Sequence, residues 1–154
     1  MKFVSINPES QDALKFDKLI NERKSFVKFY HPSCGHCQNM ASAWGALKKH
    51  PKLKDLDLNI VEVHVGATPY IKSNVARKAE NQGVPFILMV NKGGEVTKMF
   101  NSERSVEEMV KFILNNVNER KRNKRTKRVK TIKKTMKVKK TKKHARKTKK
   151  SLTI

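Results

Sequence analysis

Two cysteines, Cys34 and Cys37, are the only ones in the 154-residue chain, and they bracket Gly35 and His36. Exchange between thiols and disulfides needs an accessible thiolate that attacks and a second thiol within reach that resolves the mixed disulfide. A Cys-x-x-Cys spacing supplies both. The plainer alternatives are an inert structural pair or half of a zinc site. Zinc in such sites takes four ligands. His31 and His36 are close in sequence, but a site drawn from one strand-to-helix turn would be cramped, and there is no second Cys-x-x-Cys. The spacing therefore favours redox chemistry. His36 could act as a cation or hydrogen-bond donor toward a Cys34 thiolate, which would stabilise the dithiol and make the disulfide more oxidising. The alternative for His36 is a solvated loop histidine, and His31 is undecided.

Chemistry of this kind needs elements that hold the pair. Upstream, Ser25 to Tyr30 is a nearly continuous apolar run, suited to a strand covered on both faces. Downstream, Met40, Trp44 and Leu47 recur at helical spacing. Strand, cysteine pair and helix follow one another directly, so Cys34 falls at a helix N-terminus. There, unpaired N–H groups and the helix dipole favour a thiolate.

The stretch FYHPSCGHC resembles the thioredoxin superfamily, and its CGHC tetrad is most similar to the catalytic domains of protein disulfide isomerases. The resemblance implies an α/β thioredoxin fold, a central mixed sheet flanked by helices, acting as an oxidoreductase on protein thiols and disulfides. It implies no bound cofactor, only a redox partner. In that family a histidine at the place of His36 goes with oxidase or isomerase activity. The resemblance also implies that Pro85 is a cis-proline opposite the cysteines, with Val84 offering its backbone to substrate. Two positions depart from the pattern. Ser33 stands where an aromatic residue usually precedes the first cysteine. Lys28 stands where a buried carboxylate usually relays a proton to the second. A buried Lys28 could be a neutral amine that accepts the Cys37 proton, or an ammonium that stabilises thiolate; alternatively its stem is buried and its amine snorkels to the surface.

The remaining elements follow from pattern. Phe3 to Ile6 reads as a first strand, and Asn7-Pro8 as a cap opening a helix that buries Ala13, Phe16, Leu19 and Ile20. Pro51 and its lysines mark a loop, and Asn59 to Val65 reads as a strand. Thr68-Pro69 repeats the cap signal for a helix running to about Asn81, with Ile71, Val75 and Ala79 inward. Phe86 to Val90 and Glu95 to Phe100 read as two strands joined by a tight turn over Asn91 to Gly94. Ser105 and Glu108 form a capping box for a last helix carrying Val106, Met109, Val110, Ile113 and Val117.

Charge divides the chain. Of 36 Lys and Arg residues, 19 lie between Arg120 and Lys150, where no acid occurs; the rest of the chain has 17 basic and 13 acidic residues. Residues 1–118 are thus expected to form the domain, and residues 119–154 a disordered tail. Such a tail binds polyanions by neutralising phosphates or an anionic membrane surface. Its first stretch offers Arg120, Lys121, Arg122, Lys124, Arg125, Lys127, Arg128 and Lys130. With no aromatic residue for stacking, non-specific binding of nucleic acid is the expected mode. A nuclear address or a solubilising role is the plainer alternative.

No apolar leader, membrane-spanning run or retention signal is read in the sequence, so the cytoplasm or nucleus is expected rather than secretion or the endoplasmic reticulum. In composition and tail the chain is similar to redox proteins of large DNA viruses, which would place it in a virion. A different class of function is a non-catalytic nucleic-acid-binding or packaging protein with the folded domain as its platform. Oligomeric state, natural substrate and direction of electron flow are not fixed by the sequence.

Overall fold

The computed structural model describes residues 1–80 and 82–117. Five strands form one mixed sheet: β1 (Lys2–Ile6), β2 (Ser25–Tyr30), β3 (Asn59–His64), β4 (Phe86–Val90) and β5 (Val96–Met99), in the spatial order β1-β3-β2-β4-β5. β3 lies parallel to both β1 and β2, whereas β4 runs antiparallel to β2 and β5 antiparallel to β4. Helices α1 (Ser10–Glu22), α2 (Gly35–Asn39), α3 (Ala41–Ala46), α4 (Asn74–Glu80) and α5 (residues 106–117) flank it. This is the thioredoxin fold expected from the sequence.

β2 is central and covered on both faces, so its side chains alternate between two cores. Val27 and Phe29 join Phe16 and Ile20 of α1 and Val75 and Ala79 of α4. Phe26 points the other way, to Met40, Trp44, Met109 and Ile113. Lys28 shares that second face by the same alternation. The period of two also explains β3, where Ile60 packs with Phe26, and Val61 and Val63 pack with α1.

Several boundaries differ from the sequence reading. Asn7-Pro8 precedes α1 instead of opening it; Glu9 is the N-cap, and the Asp12 carboxylate turns back to accept the Asn7 N–H at 2.9 Å. The single helix expected after the cysteines breaks at Met40 (φ −93°, ψ −2°), which separates α2 from α3. Thr68-Pro69 sits inside a 3-10 helix, Val65–Tyr70, in which Thr68 Oγ1 donates to the Val65 carbonyl. α4 starts later, because Asp17 of α1 accepts the N–H groups of Lys72 and Ser73 at 3.0 and 3.2 Å and fixes the chain just ahead of it. The β4–β5 turn is as read. Gly93 and Gly94 both take positive φ, +94° and +79°, which suits residues without a Cβ.

Residues 119–154 lie outside the described residues, and with them the expected disorder and polyanion contacts of Arg120, Lys121, Arg122, Lys124, Arg125, Lys127, Arg128 and Lys130. Among the described residues, no helix is long and apolar enough to cross a membrane.

Candidate active site

β2 ends at Tyr30, and a short turn carries the chain to Cys34. The turn is held by its own polar groups: His31 Nδ1 accepts the Ser33 N–H at 3.2 Å, the His31 carbonyl accepts the Cys34 N–H at 3.1 Å, and Gln38 Nε2 donates to the Pro32 carbonyl at 2.8 Å. Cys34 is thereby set as the N-cap of α2, where its sulfur accepts the Cys37 N–H at 3.4 Å. Both cysteines are free thiols. Cys34 is partly exposed and Cys37 is 5% exposed.

Their surroundings push their proton affinities apart. The Cys34 thiol is held below the ordinary range, chiefly by a hydrogen bond from the Cys37 side chain; desolvation opposes this, and the backbone N–H groups of Cys37 and His36 and the charge of Arg104 add to it. Cys37 is pushed up, first by burial and then by the Cys34 side chain, while the His31 backbone and the charge of Lys28 act in the opposite sense. The more exposed sulfur is thus the more readily ionised of the two. His36 is exposed, and it is its amide rather than its ring that bears on Cys34.

Opposite the pair, the Val84–Pro85 peptide bond is cis, and the Val84 carbonyl lies 3.3 Å from Cys34 Sγ, which donates to it. Val84 is half-buried and Pro85 buried ahead of β4. Cys34, Gly35, His36, Cys37, Val84 and Pro85, drawn from two separate stretches, thus meet at one end of the sheet.

Lys28 lies deeper. It does not snorkel: its side chain is 4% exposed, and Nζ is 3.0 Å from Glu62 Oε2. Tyr30 and Trp44 present their rings to the same ammonium at 5.0 and 4.7 Å. Glu62 Oε1 accepts the Ser5 hydroxyl at 2.7 Å. Ser5, Glu62 and Lys28 stand in register across β1, β3 and β2, forming a polar row within an otherwise apolar layer.

Glu62 and Arg104 were not singled out from sequence. A lone acid in NIVEVH was the available signal for Glu62, matching the lone lysine in SFVKFY, but only the strand register joins them. Arg104 lies in an irregular loop and carried no signal. Among the described residues no cluster of three or more His, Cys, Asp or Glu side chains is placed to hold a metal ion.

Comparison with known proteins agrees with this geometry. The Thioredoxin family model matches residues 7–115. A thioredoxin domain-containing protein of Theileria parva is 34% identical over 91 residues, 59% of this chain and 38% of its own. Protein disulfide-isomerase 5-1 of Arabidopsis thaliana is 27% identical over 118 residues, covering 75% of this chain and 73% of its own. The chain spans less than two-fifths of the Theileria parva relative and 28% of protein disulfide isomerase-like 2-2 from Oryza sativa subsp. japonica, to which it is 27% identical over 71% of its own length. Among solved structures, the J-Trx1 fragment of ERdj5 superposes with a TM-score of 0.59 at 25% identity, over 76% of this chain and 50% of that one.

Proposed function

Since the chain belongs to the thioredoxin family, we propose that it is a thiol-disulfide oxidoreductase acting on protein cysteines through its CGHC dithiol. The Cys34 thiolate attacks one sulfur of a substrate disulfide. The substrate S–S bond breaks as the Cys34–S bond forms, and the departing sulfur leaves with the electron pair and takes up a proton. Cys37 then loses its proton and attacks Cys34 Sγ, closing the Cys34–Cys37 disulfide and releasing the second substrate thiol. Two electrons pass to the substrate; the reverse sequence oxidises a substrate dithiol.

The observation that carries this reading is the position of Cys34. It caps α2, faces the Val84 carbonyl beside the cis-proline, and has a lowered proton affinity beside a buried partner thiol. The test is the equilibrium of the pair in glutathione buffers, read by alkylation and mass. A potential near about −180 mV marks an oxidase or isomerase and one near about −270 mV a reductase. Failure to cycle would overturn the reading.

The basic tail supports an added role. Nineteen cations between Arg120 and Lys150 with no acid suit a tether to nucleic acid or another polyanion, fixing where the redox domain acts in cytoplasm, nucleus or virion. A tail that binds polyanion on a domain that fails to cycle would favour the alternative, a non-catalytic packaging platform.

A further inference from the structure

Next to the cis-proline loop the surface opens into two grooves that the sulfur chemistry itself does not use. The first, about 540 Å³, is lined in part by Gly83, Pro85, Phe100 and Arg104, with Glu103 in the same wall. The second, about 660 Å³, runs between α4 and β5. The two share Gln82, Phe86 and Met99, so they adjoin; the path they make has Pro85 at its near end, next in sequence to the Val84 carbonyl that accepts from Cys34 Sγ.

Three properties of the second groove restrict its occupant. Its apolar part is Phe86, Val96 and a Met99 that is 50% exposed, a large apolar side chain left uncovered. One wall is β5, an edge strand of the five-stranded sheet, beside which an extended segment can lie. Among the described residues that line it, the charged side chains are Arg77 and Lys78 from the last turn of α4 and Lys98 from β5, and none is a carboxylate.

We propose that this path holds the extended segment of a protein substrate beside its reacting cysteine, and that it selects segments carrying acidic residues next to an apolar one. The assignment rests on the exchange function proposed above and adds to it a substrate class. The carboxylates would face Arg77 and Lys78, and the apolar residue would cover Met99. Rim charges of this kind set preference and encounter rate more than raw affinity.

The test uses the full chain, its tail occupied beforehand by excess duplex DNA, and two fluorescent peptides of equal length, each with serine in place of its cysteine: one with Glu, Asp and Leu flanking that serine, the other with Gln and Asn in place of the acids. Binding is read by anisotropy near 0.15 M salt, where charges beyond about 8 Å are largely screened. The expected result is preference for the acidic peptide, falling at least about threefold in R77E/K78E through loss of two exposed ion pairs. A second variant, Met99→Ser, removes the apolar contact without adding a charge beside the α4 cations and lowers binding of the same peptide. Unchanged preference in R77E/K78E, or none in the native chain, would overturn the proposal. Exchange with a small neutral disulfide, 2-hydroxyethyl disulfide, is measured in parallel and stays unchanged in R77E/K78E. Loss of that exchange in the native chain would instead count against the redox function, leaving the peptide binding to judge the groove.

Discussion

Lys28 and Glu62 face each other across neighbouring parallel strands at 3.0 Å, with side chains 4% and 23% exposed. The thioredoxin resemblance leads one to look for a carboxylate at position 28. Here the carboxylate is one strand over, on β3, and the β2 position carries the cation. Cys37 consequently experiences a stabilising positive charge from below.

Breaking this pair is expected to be costly, since Glu62→Gln leaves a buried ammonium with only ring faces and a neutral amide. A loss of about 2–4 kcal/mol is expected, somewhat reduced by the partial exposure of Glu62. Replacing both, K28M/E62L, should cost far less, and the exchanged pair K28E/E62K should recover only part of the native value, because it sets a carboxylate against the Tyr30 and Trp44 ring faces. Denaturant unfolding of the reduced chain separates the three.

The direction of each cysteine's shift predicts their pH behaviour. Cys34 should react with iodoacetamide first, with a midpoint below the ordinary thiol value of about 8.5, and Cys37 should stay protected. Cys37→Ala removes the largest influence holding Cys34 down, so the Cys34 midpoint should rise. For stability of the reduced chain the two act oppositely. The lowered Cys34 contributes stability above the unfolded thiol value, lost as pH falls through its folded value. The raised Cys37 removes stability as pH climbs past the unfolded value. Thiolate absorbance against pH checks the first, and unfolding midpoints at several pH values the second.

His36 acts on Cys34 through its backbone N–H. His36→Ala keeps that donor and should shift the redox potential little. His36→Pro deletes it and should make the disulfide measurably more reducing. Equal potentials in the two variants would return the tuning role to the imidazole.

Ending the chain at Asn118 is expected to abolish binding to duplex DNA or heparin while leaving exchange with a small disulfide unchanged. In the full chain, log affinity should fall with log salt at a slope of about −0.9 per phosphate neutralised. A truncated chain that still binds would place the polyanion site on the folded domain.

The central strand and both cysteine positions could be read from the sequence because local pattern decides them. SFVKFY has the bounds of β2, and Ala13, Phe16, Leu19 and Ile20 are the buried side of α1. Reading failed where a distant residue overrides a local signal. Thr68-Pro69 carries a cap-and-proline signature, yet Asp17, more than fifty residues earlier, fixes the segment before α4. Glu62 is likewise unremarkable until parallel register sets it against Lys28. Local pattern locates the cysteine pair and supplies most of what lowers Cys34; strand register adds the Lys28–Glu62 pair whose charge bears on Cys37.

The unequal burial of the two sulfurs has a practical use. Cys34 is partly exposed and Cys37 is buried, so in the proposed exchange Cys34 would bond the partner and Cys37 would let it go. A chain carrying Cys37→Ser should therefore be a hook without a release: partners bonded to Cys34 would remain covalently attached through purification, and reductant would then free the catch for identification by mass.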